Sequence, residues 1–187
     1  MSNIIIMPLP DEHISGMSAV VTAVAREGKY LTTNTGFSEE STRIFTRDCR
    51  RQGFPQFVAV DADDDRAGGG VSGPRVVGWC DVVARTGQPR SVGFLGVGLL
   101  PRYRGQGLGL RLMSATIRAA ARSGFDIIRL ECRASNKRAI NLYKKMGFRF
   151  CGYDPFGLVL DGEVFPTVRM KSRIIRLKLA DEQEDLE

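Results

Sequence analysis

The tightest constraint on this chain sits at residues 99–109, Leu-Leu-Pro-Arg-Tyr-Arg-Gly-Gln-Gly-Leu-Gly, where glycine recurs at alternate positions, Gly105, Gly107 and Gly109. Residues 91–99, just before the glycines, form an apolar, glycine-interrupted run that predicts a strand. Residues 108–123, just after, carry apolar side chains at helical spacing. A strand that turns into a helix through bare backbone leaves unpartnered N–H groups at the helix start. Those donors, with the positive end of the helix dipole, bind anions. The stretch therefore reads as a cradle for phosphate or pyrophosphate, with Arg102 and Arg104 adding positive charge. Two familiar cradles are excluded. No Gly-Lys-Ser/Thr is present, and Leu110 stands where a dinucleotide fingerprint needs its last glycine.

A second block lies downstream: Leu-Glu-Cys-Arg-Ala-Ser-Asn at 130–136, then Ala-Ile-Asn-Leu-Tyr-Lys-Lys-Met-Gly-Phe at 139–148. Arg104, Gly107 and Gly109 meet the pattern Arg/Gln-x-x-Gly-x-Gly/Ala of the acetyl-CoA loop in the GCN5-related N-acetyltransferases. With the second block at the expected distance, residues 75–153 resemble that family. The resemblance implies an α/β (α+β) acyl-CoA N-acyltransferase fold. Its central mixed, mostly antiparallel sheet is splayed at the fourth strand, with helices on both faces. The implied reaction is direct transfer of an acetyl group from acetyl-CoA, as cosubstrate, to a primary amine on a small molecule, protein or peptide. A CoA-binding regulatory or sensor module without turnover is the alternative.

The resemblance also assigns residues. Backbone N–H groups of Gly105, Gln106, Gly107, Leu108, Gly109 and Leu110, with Arg104, would hold the pyrophosphate. Backbone of Val97, Gly98 and Leu99 would pair with the pantetheine arm as one strand pairs with another. The Leu99 N–H would polarise the thioester carbonyl. Tyr143 matches the tyrosine that protonates the leaving thiolate, a plausible acid because a phenol titrates near 10. By helical spacing alone it would be a core aromatic. Asn136 matches a residue that bonds the pantetheine arm, and it can also cap a helix. Many members carry a glutamate base on the central strand, but residues 91–99 hold no ionisable side chain. The 130–136 motif is similar to that of the ribosomal-protein N-terminal alanine acetyltransferases, which makes Glu131 the candidate base. Its plain reading is an exposed carboxylate paired with Arg129 or Arg133. Asp81 and His13 are weaker candidates, placed by no motif.

Length and composition bound the rest. The 187 residues suit one domain, expected over 1–179, with an acidic tail at 180–187. A net charge of +6 suits an anionic ligand such as CoA, and equally a solvated basic surface. Outside the 99–109 stretch the aromatic residues do not interleave with a basic stripe, which argues against nucleic acid as a partner. No apolar run reaches membrane-spanning length and no signal peptide is apparent, so a cytoplasmic protein without membrane contact is expected. Four cysteines without a CxxC pair, and one histidine, fit reduced thiols and no metal. Asp61, Asp63 and Asp65 begin like a calcium loop, but Arg66 and Ser72 break the pattern. A homodimer is left open.

Along the chain, strands are expected at 4–7, 57–61, 75–84, 91–99, 126–132, 148–153 and 164–170. Helices are expected at 11–26, 39–51, 108–123 and 136–146, with Ser38 as a cap and an Asp161-Gly162 turn. The 108–123 helix is expected to bury Leu112, Met113, Ile117, Ala120 and Ala121. Glycines 93, 96 and 98 predict a bulge, or close approach of a ligand, in the fourth strand. Residues 30–54 are expected to shape acceptor choice, as the resemblance implies.

Overall fold

A computed structural model describes residues 3–63, 75–177 and 179. Seven strands form one sheet in the order β1-β2-β3-β4-β5-β7-β6. The strands are β1 (Ile4–Pro8), β2 (Gln56–Asp61), β3 (Arg75–Val83), β4 (Val92–Leu99), β5 (Ile127–Arg133), β6 (Arg149–Leu160) and β7 (Glu163–Arg173). All neighbours are antiparallel except β4 and β5, which run parallel. Helices α1 (Ile14–Arg26) and α2 (Glu39–Gln52) precede β2; α3 (Leu108–Arg122) joins β4 to β5 and α4 (Lys137–Met146) joins β5 to β6.

Local chemistry sets the ends of these elements. The Ser38 hydroxyl accepts from the Ser41 amide at 3.1 Å and starts α2, and Gly53 closes it in the left-handed region. Asn136 caps α4 by accepting from the Ala139 amide at 3.2 Å. Asp161 and Gly162, with φ of 52° and 80°, form the tight β6–β7 turn. Both strands of this hairpin run longer than the apolar pattern suggests. Pro155 sits at a register irregularity on β6, an edge strand, where a missing N–H does no harm.

Leu112, Met113, Ile117, Ile128, Met146 and Met170 are fully buried and tie α3 and α4 to the sheet. Burying side chains of this size contributes about 1.5–3 kcal/mol each. Ala121 is exposed, contrary to expectation; Ser114 and Thr116 are buried on α3 instead. The Thr116 hydroxyl bonds the Leu112 carbonyl at 2.9 Å, so this polar side chain is satisfied within the helix.

The sheet is splayed where the resemblance predicts. Parallel pairing of β4 with β5 stops after Val92↔Ile127, Gly93↔Ile128 and Phe94↔Arg129. Beyond it, residues 95–99 of β4 keep only β3, and residues 130–133 of β5 keep only β7. No bulge interrupts the β3–β4 register. The β4 glycines answer to bulky neighbours instead. A Cβ on Gly98 would lie 2.2 Å from the Trp79 ring, and one on Gly93 2.4 Å from Val82. The stretch from Asp61 that begins like a calcium loop lies partly outside the described residues, with Asp65, Arg66 and Ser72, and the 180–187 tail lies wholly outside them.

Candidate active site

Antiparallel pairing fixes which backbone groups face the opening between β4 and β5. The Leu100 amide donates to the Val77 carbonyl at 2.9 Å, and Gly98 and Gly96 stand opposite Trp79 and Asp81. Hydrogen bonding alternates along such a pair, so Gly96 and Gly98 turn their amides and carbonyls toward β3. Val97 and Leu99 turn theirs into the opening. Of the three expected arm-binding residues, Gly98 is therefore engaged by β3. The Leu99 carbonyl is taken too, by the Arg104 Nε–H at 2.9 Å. What remains for a ligand strand is the Val97 amide and carbonyl and the Leu99 amide.

The cradle follows directly. Gly105 and Gly107 have φ of 81° and 78°, a region that a side chain disfavours, and space is open where a Cβ would stand. Amides of Gly105, Gln106, Gly107, Leu108 and Gly109 have no backbone acceptor among the described residues. Leu110 differs from expectation: its amide already donates to the Gly107 carbonyl at 2.9 Å, closing the first turn of α3. The Gln106 side chain holds the Arg102 carbonyl at 2.8 Å.

Arg104 departs further from the expected role. Its guanidinium makes a two-pronged ion pair with Glu27, one arm at 2.8 Å, and lies 4.7 Å from the centre of the Tyr30 ring. The pair with Glu27 raises its affinity for the proton, so the charge is permanent. Arg104 thus braces the cradle against the end of α1. A second brace lies at Tyr103, whose hydroxyl donates to buried Asp61 at 2.9 Å. Asp61 also accepts from the Asp63 amide at 3.1 Å, so its carboxylate serves this turn.

Below the opening, on the α3–α4 face, lies Tyr143. Its side chain is buried near Cys80 of β3 and Cys132 of β5, one on each side of the splay. Burial, with those thiols, pushes its ionisation well above the usual phenol range. A hydroxyl so placed stays protonated and serves as a donor. Burial likewise lifts the Cys132 thiol to about 11. All four cysteines are free thiols.

The opposite face carries two carboxylates. Asp81 stands across β3–β4 from Gly96, and a Cβ on Gly96 would lie 3.1 Å from its Oδ1. Glu131 follows Arg129 by two residues on β5, so both share a face with Phe94, Gly96 and Asp81. The two carboxylates therefore flank the opening on the same side. Glu131 is exposed and accepts from the Thr167 hydroxyl of β7 at 2.6 Å. That partner, rather than Arg129 or Arg133, orients it. Asp81 lies against α2 near Cys49, and desolvation raises its carboxyl from 3.8 to about 7. The sequence offered no signal for this; Asp81 gains its environment from a helix some thirty residues away in the chain. His13 stands in the turn joining β1 to α1. Arg133 roofs this face, stacked 4.0 Å from the centre of Phe165 and reaching the Leu31 carbonyl at 3.5 Å. Asn34 bonds Asp161, joining the loop after α1 to the β6–β7 turn.

Comparison with known proteins decides the family. The model of the acetyltransferase (GNAT) family matches residues 29–148. This chain belongs to the GNAT acetyltransferase family. It is 33% identical over 103 residues to the thialysine N-epsilon-acetyltransferase of Mus musculus, a match covering 52% of this chain and 61% of that protein. It is 33% identical over 98 residues to the streptothricin acetyltransferase of Streptomyces lavendulae, covering 52% of this chain and 46% of that one. The match thus spans only part of either relative's length. Among solved structures, the GNAT phosphinothricin acetyltransferase of Sinorhizobium meliloti, in complex with AcCoA, shares the fold. Its TM-score is 0.80 at 18% identity, over 92% of this chain and 89% of that one.

Proposed function

We propose that this GNAT protein transfers an acetyl group from acetyl-CoA directly to a primary amine. One observation carries the reading. Open amides at residues 105–109 adjoin a strand edge whose Val97 and Leu99 groups face an unpaired gap, with Tyr143 buried near Cys80 and Cys132 on the α3–α4 face. These residues suit acetyl-CoA: amides at a helix start take phosphates, and a strand edge takes an amide-bearing arm. Bound there, acetyl-CoA supplies the thioester whose acetyl group passes to the amine while the thiol departs.

The chain's own groups have separate tasks. The Leu99 N–H stabilises negative charge on the carbonyl oxygen. Tyr143 holds the proton that the departing thiolate needs. Asn136 caps α4 through its Oδ1 and offers its Nδ2 to the arm. Glu131, oriented by Thr167, takes the ammonium proton through a water. A second assignment of the base is favoured by one observation: Asp81 occupies the space that Gly96 leaves, and it titrates near neutrality, where a base works best.

The test is steady-state release of CoA thiol against a panel of primary amines, with products identified by mass. Acetylated amine supports the proposal. CoA binding without acetylation of any amine would support a regulatory module instead. No helix among the described residues is long and apolar enough to cross a membrane. With four free thiols, that accords with a reducing, cytoplasmic setting.

A further inference from the structure

The acceptor face bears a row of cations that the transfer chemistry does not use. Register places Phe94, Arg129, Lys171 and Arg149 side by side across β4, β5, β7 and β6. Glu131 and Arg169 form the next row toward the opening. A cleft of about 470 Å³ lies over both rows, lined by Arg85, Arg129, Glu131, Arg169 and Lys171 among others. Arg85 reaches in from the β3–β4 loop and stacks 4.1 Å from the centre of Phe94.

These cations lack acidic partners. Arg43, Arg50, Arg51 and Arg104 each pair with a carboxylate. Among the described residues, Arg85, Arg129, Arg169 and Lys171 do not. Arg129 donates one arm to the Gln88 side chain at 3.0 Å, while its Nε is buried without any partner. A buried guanidinium N–H without an acceptor is costly, because it has given up water and gained nothing in exchange. It marks a place where an acceptor from outside the chain belongs. Among the described residues, only Glu131 brings negative charge into this cleft.

We infer that the acceptor is an amine that also carries an oxyanion, carboxylate or phosphate, seated on the Arg129–Lys171 row. This rests on the acetyltransferase reading above. Successive rows on one face are two residues apart, roughly 7 Å. The nitrogen sits beside the carboxylates at the opening, and the oxyanion sits one row below. The acceptor's two charged ends are therefore several bonds apart, as in an ω-amino acid with four or five methylenes. An α-amino acid whose only amine adjoins its carboxylate is too short.

The experiment compares 6-aminohexanoate with hexylamine, and glycine with both, in acetylation by the full chain. Removing a charge-assisted bond changes affinity by roughly 10- to 100-fold. The expected result is a kcat/KM for 6-aminohexanoate above that for hexylamine by about that factor, carried by KM, with glycine poor. In Arg129→Gln and Lys171→Gln the ratio of the two should fall toward one. A wild-type ratio near one overturns the inference while leaving the transferase reading intact. A high ratio unchanged in both variants overturns the assignment to this row. Acetylation of no amine, with CoA still bound in calorimetry, overturns the transferase reading and this inference together.

Discussion

The two faces of the β4–β5 opening are built from different material. The face we propose for acetyl-CoA is mostly backbone: amides of one loop, the edge of one strand, and a single tyrosine from α4. The face we propose for the acceptor is mostly side chains, from β3, β5, β7 and the loops that follow α1 and β3. Backbone recognition needs glycines at fixed spacing in one contiguous stretch, so it leaves a pattern in the sequence. Side-chain recognition from many elements needs only that the fold bring them together. Asp81 and Glu131 lie fifty residues apart in the chain yet flank one gap.

Substitutions can break this contrast. The largest effect is expected from Gly107→Glu. It puts a side chain at φ 78° and a negative charge at the N-cap of α3. CoA affinity in calorimetry should be lost while the circular dichroism spectrum is kept; unchanged affinity would remove the cradle. Next is Tyr143→Phe, which keeps the ring packed against Phe148. A fall in kcat of roughly 10²-fold, with CoA affinity little altered, is expected for loss of a general acid. An unchanged kcat would return Tyr143 to the core.

The carboxylates sharpen the comparison on the acceptor side. Glu131→Gln and Asp81→Asn should leave CoA affinity alone and differ in the pH profile of kcat/KM. With Glu131 as base, its variant loses activity at neutral pH and recovers part of it as pH rises, because more amine arrives already neutral. With Asp81 as base, the wild-type rate climbs as pH passes about 7 and that limb disappears in Asp81→Asn. Profiles identical to wild type in both variants would leave water as the acceptor.

Smaller effects are expected away from the chemistry. Arg104→Lys keeps the charge but loses the fork that holds Glu27 and the Leu99 carbonyl. CoA affinity should weaken several-fold, measured by calorimetry, with kcat at saturating CoA unchanged. The smallest is a stability effect at Asp81. Its carboxyl is raised from 3.8 to about 7, so the folded chain keeps a proton that the unfolded chain has released across that window. Stability therefore declines as pH rises through it. In Asp81→Asn the difference between melting temperatures at about pH 5 and about pH 8 should shrink.

The glycine loop and the 130–148 block were enough to place the strand-to-helix turn after β4 and the α4 helix that carries Tyr143, because each depends on neighbours within a few residues. Within that site the sequence could not separate residues by role. The resemblance assigned Gly98, Leu110 and Arg104 alike to the cofactor, yet β3, the first turn of α3 and Glu27 respectively engage them. Strand parity and helix ends decide such details, and both follow from the assembled sheet. The β4 glycines carried a signal whose cause lay elsewhere: they make room for Trp79, Asp81 and Val82 on the neighbouring strand.

By itself, then, the sequence determined the order of elements, the turn from strand to helix and the bare backbone of the glycine loop, all local consequences of glycine spacing, capping residues and apolar period. Tertiary structure alone decided which carboxylates flank the β4–β5 opening, that burial raises the Asp81 carboxyl to about 7, and that Arg129, Lys171 and Arg149 share one row. Solvation and register are properties of packed neighbours, and neither is written in the residues next to them in the chain.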